Sequence, residues 1–262
     1  MNPNALQAAF ELLRELHDSF SITAECYAQA MRACNTSKQH QMCFSLRDEV
    51  KRLGLKMNSS IYLQLFHSCA DGGFVAHALS LLAEMMASDE DEAVGAIHYT
   101  LAIRSCESAK ALKEAQYLFQ QASSLGLKPQ LSACNSMLKQ LVIAQQWQEV
   151  MSFFQSMPEQ GVRPDQKSYA FLLCAFQELG NSSGAQRALQ EMKIARMYEC
   201  HQFCSLDCVQ YLCISIFCSC ALPSDCRCPD VASFNSVVAA LGKGGTWFAI
   251  PAILNQMKDW GM

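Results

Sequence analysis

Apolar residues along this chain recur at intervals of three and four, which places them on one face of a helix. Ala115, Leu118, Phe119 and Ala122 form one such stripe, and Val150, Phe153, Phe154 and Met157 another. No stretch alternates apolar and polar residues between turn signals, as a half-buried strand does. The pattern therefore predicts helices joined by short turns. Within residues 131–165 it predicts one helix from about Ala133 to Ala144 and a second from about Trp147 to Gln160. Gly161 follows as a stop, with Pro164 just beyond, and this is ordinary helix punctuation. Gly54, Gly126 and Gly261 hold the same place in their own stretches.

Three threads of residue type keep one common spacing. The aromatic thread is Tyr27, Tyr62, Tyr99, Tyr169 and Phe234, at steps of 35, 37, 35 + 35 and 65 residues, with Cys134 in the slot between Tyr99 and Tyr169. A compact apolar thread follows the same steps through Ala8, Cys43, Ala78, Ala115, Val150, Ala185 and Ile250. A Met-rich thread runs Glu15, Val50, Met85, Ala122, Met157, Met192 and Met257. Three chemistries in phase, irregularities included, define a repeat of roughly seven helix pairs with a 35-residue period. Such a pair cannot bury its stripe alone, but stacked neighbours cover one another. Tyr27, Tyr62, Tyr99, Phe119, Phe154, Met157 and Met192 are accordingly expected in the core.

The units run 24–58, 59–95 (with two extra residues), 96–130 and 131–165, after a partial unit at 1–23. A further unit starts at 166–197 and is interrupted; residues 228–262 hold its end and a C-terminal partial unit. Residues 198–227 are an insertion, because excising them restores a 35-residue unit. That segment carries Cys200, Cys204, Cys208, Cys213, Cys218, Cys220 and Cys226 with His201, but no two matching zinc knuckles. It is expected to be a loop, and no metal is assigned to it.

Composition narrows the class. Hydrophobic residues make up 51% and charged residues 17%, which describes a folded chain. The net charge of −4 opposes tight non-specific nucleic-acid binding, while leaving room for a basic groove. The scattered cysteines read as buried thiols of a reducing compartment. Neither a secretory signal nor a transit peptide is visible at the N-terminus. The longest uncharged stretch, Cys208–Ser224, is too short to span a bilayer and contains Pro223.

Particular sequences identify the repeat. One unit closes Gly161-Val162-Arg163-Pro164-Asp165, and Gly126-Leu127-Lys128-Pro129-Gln130 is a near match. The last unit opens Val231-Ala232-Ser233-Phe234-Asn235-Ser236-Val237-Val238 after Pro229-Asp230. With these, the chain resembles the pentatricopeptide-repeat family over nearly all its length except residues 198–227. The resemblance implies an all-α, right-handed α-solenoid of stacked antiparallel helix pairs that binds single-stranded RNA, one base per unit. It implies two reading positions, the residue after the aromatic of the first helix and the last residue of the same unit. These are Asn135 with Asp165 (a pair the family uses for uracil), Thr100 with Gln130, and Ala28 with Asn58. Ala170 pairs with Asp230 if the interruption loops out, Leu63 reads nothing, and Asn235 stands at the reading position of the last unit. The family prefers Val or Ile two residues before the aromatic; Ile97 fits, whereas Glu25, Ser60, Ser132, Lys167 and Ala232 do not. The resemblance further implies RNA processing or stability in a mitochondrion or chloroplast, with the cytoplasm as the other compartment. The alternative is a protein–protein interaction scaffold that does not bind RNA. A basic strip through residues such as Lys139 and Lys167 would favour RNA.

No catalytic constellation is present. The six histidines (His17, His40, His67, His77, His98 and His201) are dispersed, with His67 and His77 read as surface or groove residues. Gly242-Lys243-Gly244-Gly245 reads as an inter-helix turn, since no strand precedes it. The acidic run Asp89-Glu90-Asp91-Glu92 reads as a solvated linker. The chain is therefore expected to be neither an enzyme nor a cofactor binder.

Overall fold

The computed structural model describes residues 23–87, 94–203 and 229–259, with side chains described except at 193–203. The expected half-unit up to residue 22, the acidic run Asp89–Glu92, Gly261 and the insertion beyond Phe203 lie outside the described residues.

Among the described residues the regular elements are all helical: α1 (Ala24–Thr36), α2 (His40–Arg52), α3 (Ser59–Gly72), α4 (Val75–Ala87), α5 (Ala96–Ala109), α6 (Leu112–Ser124), α7 (Leu131–Ile143), α8 (Trp147–Glu159), α9 (Gln166–Leu179), α10 (Ser182–Phe203), α11 (Val231–Lys243) and α12 (Ile250–Asp259), the last preceded by a 3₁₀ turn, Trp247–Ala249. α7 and α8 begin and end within two residues of the limits that the apolar pattern predicts. α10 continues through Phe203, so residues 198–203 are helical.

The chain divides into two compact units, residues 1–137 and 138–262. In the first, α1 packs against α3 and α3 against α5, so the first helices of successive repeats lie side by side. Each second helix packs on its own partner (α2 on α1, α4 on α3, α6 on α5) and on the first helix that follows, as α2 does on α3 and α4 on α5. The second unit repeats the scheme: α9 meets α11, α10 lies against both, and α12 closes on α11. Each unit is thus a stack of antiparallel helical hairpins.

The threads fill the space between hairpins. Cys43, Ala78, Ala115, Val150 and Ala185 are all completely buried, and Tyr27, Tyr62, Tyr99, Phe154, Met157 and Met192 are buried as expected. Phe119 is only half-buried. Ala115, Leu118 and Ala122 take the inward face of α6, which leaves Phe119 on its flank beside a small cavity shared with Tyr99 and Thr100. Tyr62 Oη donates to Glu84 Oε1 at 3.5 Å, and Tyr169 Oη donates to Glu191 Oε2 at 3.5 Å, tying first helix to second in both units.

Backbone handedness recurs with the repeat. The turn between the paired helices holds one left-handed residue each time: Lys38, Gly73, Lys110, Gln145, Gly180 and Gly245, with φ between +54° and +72°. Gly54, Gly126 and Gly161 provide a second left-handed residue after the second helix. At Gly180 a close approach adds to the need: a Cβ there would lie 3.3 Å from the backbone of Lys243 and Gly244 at the end of α11. A Cβ on Gly161 would meet nothing within 4 Å. A non-glycine residue in this conformation costs about 1–2 kcal/mol. Gly161→Ala is expected to destabilise by that amount and Gly180→Ala by distinctly more, read as midpoint shifts in urea unfolding.

The contact of α9 with α11 also bears on the insertion. These helices meet as adjacent first helices do elsewhere, and Lys243 Nζ bonds Glu178 Oε2 across them at 2.8 Å. Excision of residues 198–227 is expected to leave the thermal midpoint unchanged or raised; loss of a cooperative transition would show that the insertion holds the stack together.

Candidate nucleic-acid interface

The last residue of a unit has a structural job, because the first helix of the next unit starts after it. Four amide groups at a helix start lack intrahelical partners, and Asp or Asn at the cap satisfies one of them. Asn58 accepts from the Ile61 amide at 2.9 Å. Asp165 accepts from the Ser168 amide at 2.8 Å and from the Ser168 hydroxyl at 2.9 Å. Asp230 does the same with Ser233, at 2.8 and 2.7 Å. Asp230 therefore occupies the unit-end place before α11 as Asp165 does before α9. Where glycine stands instead, His98 Nδ1 accepts from the Gly95 amide at 3.1 Å.

The expected base readers are presented very unevenly. Asn135 on α7 is half-buried, whereas Asn235 on α11 is exposed. Asp165 is only 6% exposed, while Asp230 and Gln130 are open to solvent. Thr100 is 3% exposed, and its hydroxyl donates to the Ala96 carbonyl at 2.8 Å. Ala28 is buried, Leu63 half-buried and Ala170 exposed. Ile97 is among the exposed apolar residues. Asn135 belongs to the first compact unit and Asp165 to the second.

Charge on the first helices is mixed. Lys139 and Lys167 are both exposed, and Lys243 is paired with Glu178. His67 is half-buried and His77 exposed. Further polar links join neighbouring first helices: Asn35 Nδ2 donates to the Gln64 carbonyl at 2.8 Å, and Ser136 Oγ to Glu107 Oε2 at 3.1 Å. Arg104 pairs with Asp71 at 3.0 Å. The periodic spacing signalled the aromatic and compact threads; the first two of these links recur as well, from the twelfth place of one repeat to the sixth of the next, but through different residue types, so no single residue marks them.

The cysteines in this region are structural. Burial pushes the Cys69 and Cys134 thiols up to about 12 and that of Cys106 up to about 11, so they stay protonated near neutral pH. Among the described residues no group of three or more His, Cys, Asp or Glu could hold a metal. The side chains of Cys200 and His201 lie outside the description. No described helix is long and apolar enough to cross a membrane.

Stacked two-helix hairpins with capped first helices side by side define a helical-repeat protein of the α-solenoid class. A family model, the pentacotripeptide-repeat region of PRORP, matches residues 49–199. The chain belongs to this pentatricopeptide-repeat family. Among solved structures it is similar to the pentatricopeptide repeat protein PPR10 in complex with an 18-nt psaJ RNA element, at 20% identity and TM-score 0.68 over 98% of this chain and 33% of that one. It is also similar to the PPR domain of Arabidopsis thaliana protein-only RNase P 1 in complex with tRNA, at 18% identity and TM-score 0.54 over 62% of this chain and 85% of that domain. A third similarity is to nuclear proteinaceous RNase P 2 from A. thaliana, at 13% identity and TM-score 0.55 over 64% of this chain and 38% of that protein. The chain thus spans about a third of the length of PPR10. Comparison with curated protein sequences finds no match.

The capping role of the unit-end residue can be tested directly. Asp165→Ala removes the cap of α9 and is expected to cost about 1 kcal/mol, whereas Asp165→Asn keeps a good cap and should cost close to nothing. Urea titration of the two variants checks this, and equal losses would remove capping as the role of the carboxylate.

Proposed function

We propose that this chain binds single-stranded RNA along the row of its first helices and serves RNA processing or stability in a mitochondrion or chloroplast. The carrying observation is the direct side-by-side packing of first helices within each unit, α1 with α3, α3 with α5, and α9 with α11. Packing of that kind brings residues at equal repeat places into line, with the repeat as the step of the line. Unstacked bases offer their pairing edges to such a line, which a duplex would conceal. The likeness to PPR10 in complex with an 18-nt psaJ RNA element and to the RNase P 1 domain in complex with tRNA supports the reading.

On this reading Asn135 and Asp165 stand at the reading positions whose residue types match the family best. An amide can donate and accept, which suits the alternating edge of uracil. Asn235, Asp230, Gln130 and Asn58 stand at the other reading positions, while the buried, internally bonded hydroxyl of Thr100 makes it the weakest of them. The role of the repeats is binding and positioning.

The test is selection of bound sequences from a randomised single-stranded RNA pool by the purified chain. Enrichment of a motif is expected, with preference at one base altered by Asn135→Ala and affinity falling steeply as salt rises. Failure to retain RNA even at low salt would overturn the reading and leave a protein-binding scaffold.

A further inference from the structure

A second periodic feature lies one helical turn beyond the reading positions. Arg32, His67 and Arg104 stand at the ninth place of the units 24–58, 59–95 and 96–130, in α1, α3 and α5. Because α3 packs against both α1 and α5, these residues come from the middle of three adjoining helices. Arg32 is exposed, and the Arg104 side chain is 37% exposed. His67 and Arg104 are close enough to sense each other: burial lowers the His67 pKa, and the Arg104 charge lowers it further, against the opposing pull of Asp71. His67 is therefore neutral at neutral pH, a polar rung between two fixed cations.

Each of these residues follows a reading position by four, in the pairs Ala28 and Arg32, Leu63 and His67, and Thr100 and Arg104. Residues four apart share a helix face, about 6 Å apart along the axis. On α1, α3 and α5 the residues after the aromatic offer a base little to bond. Ala28 is apolar and buried, Leu63 is apolar, and the Thr100 hydroxyl is buried and bonded to its own helix. Beside them stand two cations, Arg32 and the Arg104 that is ion-paired with Asp71. The three carboxylates of these helices each hold a hydrogen-bond partner. Glu25 accepts from the Gln29 amide at 2.9 Å, Glu107 from Ser136, and Asp71 from Arg104.

We infer that the row of α1, α3 and α5 is a sequence-independent clamp for the phosphodiester backbone of single-stranded RNA, with Arg32 and Arg104 as its phosphate contacts. The inference rests on the RNA-binding reading above and assigns this unit a different task from the reading positions. Phosphate contacts hold a strand in register but carry no sequence information. In the second compact unit the ninth place holds Lys139, Cys174 and Ala239, so there the charge does not continue from helix to helix.

The experiment measures binding of the full chain to labelled oligo(U), oligo(A) and oligo(C) across a salt series. Arg32→Gln and Arg104→Gln are each expected to weaken binding about fivefold at ~0.1 M salt, and to flatten the slope of log K against log salt by about 0.7. The loss should be the same for all three homopolymers. Asp71→Asn, which releases Arg104 from its carboxylate, is expected to strengthen binding to all three. Thermal melts of each variant separate these changes from loss of fold, and the opposite sign of Asp71→Asn could not come from unfolding. RNA binding that is untouched by these substitutions, or weakened for one homopolymer only, overturns the clamp and leaves the RNA-binding reading standing. Wild-type protein that binds none of the three at low salt removes both.

Discussion

A helix of thirteen or fourteen residues with one apolar stripe cannot hide that stripe by itself, and nearly every helix here is of that kind. Burial between hairpins is the constraint on which the rest depends. A compact residue in five of the second helices (Cys43, Ala78, Ala115, Val150 and Ala185) sits at zero exposure and lets neighbouring helices approach closely, whereas Ile250, at the start of the last one, is half-buried. The aromatic of the first helix then fills the space beside it. Stability in such a stack comes from nearest-neighbour interfaces, so it adds up along the chain without a single central core.

Close stacking dictates backbone chemistry at the turns. The chain must reverse within a few residues after each first helix, and a left-handed residue does this every time. At Gly180 the end of the next first helix crowds any side chain, whereas Lys38, Lys110 and Gln145 hold the same conformation with full side chains. The caps follow from the same geometry. A first helix pressed against its neighbours still has amides to satisfy at its start, and Asn58, Asp165 and Asp230 do so from the last place of the preceding unit.

Those details decide how much of the molecule could be read from the chain alone. The period, the helix pairs, the core threads and the glycines after the second helices were legible, because each depends on a residue type that packing or a positive φ selects. The left-handed turn inside each hairpin was not legible, since lysine or glutamine occupies it in three cases and glycine in the others. Phe119 belonged to the apolar stripe by spacing, but three- and four-residue steps describe a face wider than the contact, so it fell on the flank. The reading positions were legible as places in a repeat, but not as surfaces. Sequence does not show that Thr100 spends its hydroxyl on Ala96, or that Asp165 is nearly enclosed.

The enclosure of Asp165 has a consequence for any code carried by this chain. A carboxylate that already accepts from a backbone amide and a serine hydroxyl keeps only part of its bonding capacity for a base. The cap fixes its orientation and so reduces the entropy lost when a base arrives, which favours recognition. Asp and Asn at 58, 165 and 230 thus have a folding cause, since each starts the next helix with a side-chain cap. Gly95 and Gln130 stand at the same place without such a cap, so the fold tolerates a weaker start there, and any choice made for recognition has more freedom at those two unit ends than at the capped ones.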